Sequence, residues 1–298
     1  MKHRPVFFIN PAAGLGCAGR HLDRILAQHS ELRKRSTRVP LTAPDVLGDR
    51  LTRLEDDEIP VAVGGDGTVN LLLRVLRDVG LASRPFAVLP LGTGNTFAHT
   101  VDVGSIETAV HAIKAGSPRP VSLIVTQRGD VPLAVVSLSA GFESRFVRIV
   151  HATRTWRRYL ITAGAITASA LRARSRIRLD ADGESIVADD MVFNAGIYNS
   201  PYYGRGRGLL PGADISDARV DVVVHRARTG YWRMLCGGIE TGSYPSGSLR
   251  RSCATVRLET FGPVQVDGEP AAGGVFECRV EQRAAWVLTP PTGTDSSG

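Results

Sequence analysis

Ile59-Pro60-Val61-Ala62-Val63-Gly64-Gly65-Asp66-Gly67-Thr68-Val69-Asn70 reads as a strand, a glycine turn and the opening of a helix. The apolar run Ile59 to Val63 has the length of a buried strand, and Gly64-Gly65 ends it. From Val69 to Val79, Leu71, Leu72, Val75, Leu76 and Val79 recur at helical spacing. The same pattern lies on either side. Val6 to Ile9 runs into Asn10-Pro11-Ala12-Ala13-Gly14-Leu15-Gly16, and His21 to Leu32 follows with helical spacing. Phe86 to Leu89 runs into Gly92-Thr93-Gly94-Asn95, and a last helix spans Ile106 to Ala115, ended by Gly116 and Pro118. Strands alternating with helices predict a parallel sheet with crossover helices.

The character changes after Pro120. Strand-like runs follow at Val121 to Thr126, Leu133 to Leu138, Ile177 to Leu179, Asp190 to Ile197, Ala218 to His225, Thr255 to Thr260 and Phe276 to Val280. One helical stretch, Phe146 to Arg174, interrupts them. The expected architecture is therefore α/β at residues 1–121 and a β-rich domain with a helical insertion at 122–298, its last strand returning to the first domain. A chain of 298 residues has room for both.

Hydrophobic residues make up 43% and charged residues 22%, a globular composition. Cys17, Cys236, Cys253 and Cys278 form no CxxC pair or zinc-spaced cluster and read as reduced thiols. No apolar run reaches the roughly 18 to 20 residues that span a bilayer. The four-residue run Val6 to Ile9 is too short for a secretory signal. The expectation is a cytoplasmic protein, with peripheral membrane contact open. The net charge of +7 comes mainly from arginine and suits an anionic partner: nucleotide, membrane surface or nucleic acid. No helix-turn-helix or RNP-like segment supports the last of these.

All three glycine turns follow strands, at the edge where open α/β sheets bind ligands. Glycines there let main-chain N–H groups approach phosphate oxygens. No lysine follows a glycine loop as in a Walker A motif, and Gly14, Gly16 and Gly19 only approximate GxGxxG. A nucleotide would be held by main-chain amides and hydroxyls, with Mg²⁺ bridging its phosphates and Asp66 as the carboxylate at hand. Far along the chain, Asp267-Gly268-Glu269 reads either as a solvated hairpin tip or as a source of a general base.

The ordered series NPAAG, GGDGTVN and PLGTGNTFA resembles the diacylglycerol kinase catalytic family, which includes bacterial lipid kinases and sphingosine kinases. Ser139-Ala140-Gly141-Phe142-Glu143, Trp156-Arg157-Arg158-Tyr159-Leu160, Tyr203-Gly204-Arg205-Gly206, Leu210-Pro211-Gly212-Ala213 and Val266-Asp267-Gly268-Glu269 extend the likeness over about residues 5 to 290. The resemblance implies an α/β nucleotide domain followed by a β-sandwich, and transfer of the γ-phosphate of ATP to a lipid hydroxyl with Mg²⁺. It places Asn10, Pro11, Ala12, Ala13, Gly14, Thr42, Gly64, Gly65, Asp66, Gly67, Thr68, Val69, Asn70, Thr93 and Asn95 at ATP. It makes Asp267 or Glu269 the base. It puts a second, structural Mg²⁺ at Asp217, with the main-chain carbonyls of Asp214 and Arg219. A sphingoid-base kinase, or a binding protein with a degraded site, are the alternatives within the family. An NAD kinase shares GGDGT but not NPAAG, PLGTGN or the Trp/Tyr helix.

The chain also departs from that pattern. Thr96 and Ser122 stand where the family often carries acids, and Ala218 stands where it usually carries glycine. Glu143 is either a replacement carboxylate or an exposed surface glutamate. Arg145 to Arg178 alternates arginines with apolar residues, which fits either an anionic membrane surface or a solvated helix face. A homo-oligomer stays open.

Overall fold

The computed structural model describes residues 3–41, 43–152, 174–237 and 247–291. The chain forms two compact units. Unit 1 comprises Met1–Val121, Gly204–Gly206 and Arg283–Gly298; unit 2 comprises Ser122–Tyr203 and Arg207–Gln282.

Unit 1 alternates strand and helix: β1 (Arg4–Ile9), α1 (Ala13–Gly16), α2 (Ala18–Gln28), α3 (Ser30–Arg35), β2 (Thr37–Pro40), α4 (Pro44–Thr52), β3 (Glu58–Gly64), α5 (Asp66–Asp78), β4 (Ala87–Pro90), α6 (Thr96–Thr100) and α7 (Ile106–Ala115). The sheet order is β2-β1-β3-β4, with every neighbour parallel. All seven residues of β3 are buried, as a central parallel strand covered on both faces requires. Ile9 lies opposite Val63, and Val63 opposite Leu89. That register delivers the three glycine turns to one carboxyl edge.

The helix expected over His21 to Leu32 is two helices, because His29 leaves helical geometry at φ −126° and ψ 76°. The helix expected from Val69 begins at Asp66, with Gly65 as its N-cap and Val69, Leu72, Leu73, Val75 and Leu76 buried.

Unit 2 contains two six-stranded sheets. One has the order β14-β13-β10-β7-β16-β17 and the other β6-β5-β18-β15-β8-β9. In chain order the strands are β5 (Ser117–Arg128, whose first residues belong to unit 1), β6 (Val131–Ala134), β7 (Ser137–Gly141), β8 (Ser175–Ala181), β9 (Glu184–Val192), β10 (Asn194–Tyr198), β11 (Tyr202–Tyr203), β12 (Arg207–Gly208), β13 (Val220–His225), β14 (Ser248–Cys253), β15 (Thr255–Thr260), β16 (Val264–Val266), β17 (Glu269–Ala271) and β18 (Gly274–Thr289). Among the described residues, helices α8 (Phe142–Ala152) and α9 (Arg228–Gly237) join them. Leu138, Ile197 and Val222 from the first sheet pack in one core with Ile124, Leu179, Leu258 and Phe276 from the second, so the unit is a β-sandwich.

Two expected strands are each divided. Leu133 to Leu138 breaks at Val135-Val136, where both N–H groups turn to a side-chain carboxylate. Asp190 to Ile197 breaks at Phe193, where the chain leaves the second sheet for the first. The end of β18 lies in unit 1: Phe86 donates to Trp286 and accepts from Leu288. The helix read from Phe146 to Arg174 is seen only as far as Ala152, and Arg174 itself is not helical; residues 153–173, with the Trp156–Leu160 segment, lie outside the described residues.

Candidate active site

In unit 1 the three turns interlock. The Asn10 side chain turns back, accepting from the Ala12 N–H at 2.9 Å and donating to Thr68 Oγ1 at 3.0 Å. Asn95, left-handed at φ 51°, closes its own turn by accepting from Gly92 N–H at 2.9 Å and donating to the Pro90 and Gly92 carbonyls. A Cβ on Gly92 would lie 2.3 Å from Gly65 Cα, so two main chains touch and position 92 admits only glycine. Gly14, at φ +57°, sits against the Leu91 carbonyl in the same way.

Asp66 joins the second turn to the third. Its carboxylate accepts from Thr96 N–H at 3.1 Å and Phe97 N–H at 2.8 Å, capping α6. A carboxylate at the meeting point of the turns is a hard oxygen donor, so Asp66 is the residue that would hold a hydrated Mg²⁺ through water. Thr96 is buried, and its hydroxyl accepts from Gly204 N–H at 3.1 Å. The position that departs from the family thus has a structural partner. Thr42 lies outside the described residues.

In unit 2 the two carboxylates of the Asp267-Gly268-Glu269 turn differ sharply. Asp267 is buried at φ 51°; its carboxylate accepts from Val135 and Val136 N–H at 2.8 Å each and Ser137 N–H at 3.0 Å. That contact is what divides β6 from β7. The Glu269 side chain is 57% exposed, and its Oε2 lies 3.5 Å from His151 Nε2 on α8. The same nitrogen is 3.0 Å from the Gly268 carbonyl. A carbonyl only accepts, so Nε2 carries the proton and holds the turn to α8. Sequence reading missed His151. It is 117 residues from Gly268, and no local pattern marks it.

Elsewhere in unit 2, Asp214, Asp217 and Asp221, with Arg219 and Arg250, line a cavity of about 60 Å³. Burial holds the Asp217 carboxyl above the usual carboxylate range; the Arg219 N–H opposes this, and the charges of Asp214 and Asp221 add to it. Arg250 neutralises Asp221 at 2.6 Å. Ser122 donates to the Asp217 carbonyl. Among the described residues no three His, Cys, Asp or Glu side chains converge as a metal-binding group. A cation here would rest on Asp217, main-chain carbonyls and water, and the excess negative charge fits one.

Glu143 corrects the expectation of an exposed glutamate. It is buried, with Oε1 accepting from Tyr198 and Tyr231 hydroxyls at 2.8 and 3.1 Å, while Oε2 has no partner among the described residues. Desolvation raises its pKa, against the hydrogen bonds that favour the carboxylate.

Two family domains tile this chain: the diacylglycerol kinase catalytic domain matches residues 4–126, and the YegS C-terminal NAD kinase β-sandwich-like domain matches residues 136–288. The chain belongs to the diacylglycerol kinase catalytic family. Within that family, a probable YegS-like lipid kinase of Cronobacter sakazakii is 30% identical over 78% of this chain and 78% of its own. Mouse diacylglycerol kinase iota is 26% identical over 70% of this chain, but the match spans 24% of that kinase's length. A crystal structure of a putative diacylglycerol kinase from Bacillus anthracis str. Sterne superposes with a TM-score of 0.72 at 16% identity, covering 97% of this chain and 98% of that one. The likeness to that structure concerns the fold.

Proposed function

We propose that the chain is an ATP- and Mg²⁺-dependent lipid kinase that phosphorylates a lipid hydroxyl. The observation that carries this reading is the register of β1, β3 and β4, which brings the three glycine turns to one edge and locks them around Asp66. Main-chain N–H groups of the turns, with the first turn of α5, hold the phosphates; Asn10, Thr68, Thr93 and Asn95 shape the cradle. Mg²⁺, held through Asp66 and water, supplies neutralisation of phosphate charge when bound.

Glu269 is the better candidate for the base, because the Asp267 oxygens are already taken by three amides. The lipid oxygen forms its bond to the γ-phosphorus as the bond from phosphorus to the β,γ-bridging oxygen breaks. ADP leaves with that electron pair, and the hydroxyl proton passes to Glu269. Asp217, with the Asp214 and Arg219 carbonyls, would hold a structural cation away from this chemistry. On α8, Phe146 and Val150 are exposed and Arg145 and Arg148 accompany them, which supports contact with an anionic membrane. Among the described residues no helix is long and apolar enough to cross one.

The test is transfer of γ-labelled phosphate from ATP to mixed micelles of diacylglycerol, monoacylglycerol and sphingoid base. Label in an organic-phase product is expected, and Asp66→Ala should abolish it. Nucleotide binding without any labelled lipid would favour a binding protein with a degraded site.

A further inference from the structure

Asp66 is the one ionisable side chain in the three turns Asn10–Gly16, Gly64–Thr68 and Gly92–Asn95. A nucleoside triphosphate brings several negative charges to a cradle whose own side-chain charge is negative. Mg²⁺ meets part of that demand, and phosphoryl-transfer sites ordinarily add an Arg or Lys. No lysine lies in these turns.

The segment Gly204–Gly206 comes to them from far along the chain and is part of unit 1. Gly204 N–H donates to Thr96 Oγ1 at 3.1 Å, and Arg205 N–H donates to the Gly94 carbonyl at 2.7 Å. Gly94 in turn packs on Asp66, its would-be Cβ 3.3 Å from Oδ2. Arg205 Nε donates to the Thr93 carbonyl at 3.3 Å. One of five guanidinium donors is thus used in fixing the side chain on the third turn, and its four terminal N–H groups make no such bond among the described residues. Arg205 is exposed, and among the described residues no carboxylate forms an ion pair with it. Its main chain has φ 57°, between Gly204 at 36° and Gly206 at 72°. Glycine adopts that conformation without steric cost, and arginine does not. An arginine stands where the local backbone favours glycine.

We propose that Arg205 is a phosphate-binding residue of the nucleotide site, supplying through its guanidinium the side-chain cation that the three glycine turns lack. This rests on the reading of those turns as the ATP cradle. Planar, permanently charged guanidinium suits paired phosphate oxygens, and its tether to Thr93 lowers the entropy lost on binding.

The experiment compares wild type with Arg205→Gly, Arg205→Met and Arg205→Lys, measuring calorimetric affinity for ATP–Mg²⁺ and for adenosine, together with thermal stability. Arg205→Gly should weaken ATP binding about tenfold or more while leaving adenosine binding unchanged. Its thermal midpoint should equal or exceed wild type, because the strained main chain is relieved. Arg205→Met should lose the same affinity with the strain kept, and Arg205→Lys should recover part of it. Wild-type affinity for ATP in both Arg205→Gly and Arg205→Met would overturn the assignment, as would equal losses for ATP and adenosine. Wild-type protein that fails to bind ATP at all would sink the cradle itself, and the Arg205 proposal with it.

Discussion

At the scale of single residues, the Asp267-Gly268-Glu269 turn shows how position divides labour between two similar carboxylates. Asp267 accepts three main-chain N–H groups inside unit 2. Asparagine in that place has one acceptor oxygen and presents N–H groups to N–H groups. Asp267→Asn should therefore cost about 3 kcal/mol in chemical denaturation, and activity should fall in step with folded protein. Glu269→Gln should leave stability within about 0.5 kcal/mol, because the side chain is largely exposed. It should lower kcat by about 10²-fold or more if its carboxylate receives the proton. Full activity in Glu269→Gln would remove the turn from the chemistry. Sequence alone left these two residues equal, since both lie in the same tight turn. The distinction comes from Val135 to Ser137, more than a hundred residues earlier, where an irregularity between two strands exposes three N–H groups together. Glu143 stayed between two readings for the same reason. Nothing next to it in sequence shows that Tyr198 and Tyr231 will enclose it.

At the scale of elements, the strand–turn–helix units of the first half were legible because each carries its own signal. A four- or five-residue apolar run, a glycine pair and a 3.6-residue periodicity suffice, and β1, β3, β4, α2, α5 and α7 all followed them. Elements decided by tertiary context were not legible. β2 has no buried residue and is an edge strand by pairing alone. β16 and β17 are three residues each. The glycines of the turns were visible, but not why Gly92 must be one. Gly65 and Gly92 touch main chain to main chain, so Gly92→Ala cannot be relieved by moving a side chain. The expected result is a loss of about 1 to 3 kcal/mol in stability, with ATP affinity falling beyond what unfolding explains. Fluorescence denaturation and calorimetry on the same preparation check both halves. Unchanged nucleotide affinity in a folded Gly92→Ala protein would separate the glycine contact from ligand binding.

At the scale of the whole molecule, unit 2 carries a buried group that makes its stability depend on pH. His225 in unit 2 is fully buried, with Nδ1 bonded to Ser248 Oγ and Nε2 without a partner among the described residues. Burial lowers its pKa from 6.5 to about 4. Above pH 6.5 the ring is neutral in both folded and unfolded chains, and its contribution is fully present. Between pH 6.5 and 4 the unfolded chain takes up the proton first, so stability is lost as pH falls through that window. The loss between pH 7.5 and 4.5 should be roughly 2 to 3 kcal/mol greater in wild type than in His225→Gln, read from the urea transition of unit 2. Equal losses in the two proteins would show that another group controls the acid limb. The division into an α/β half and a β-rich half could be read from the change in pattern after Pro120. The interleaving of Gly204–Gly206 into unit 1 could not, because three residues carry no periodicity.

The end of β18 sets a condition on how the chain is made. Segment 283–289 lies beside Phe86, with Val287 and Leu288 wholly buried, yet a ribosome adds it only after all of unit 2 has been synthesised. Unit 1 appears first but holds its apolar edge open throughout synthesis of the sandwich, at the usual pace of about 5–20 residues per second. Unit 1 thus completes its core last, on the order of ten seconds or more after its first 121 residues are made.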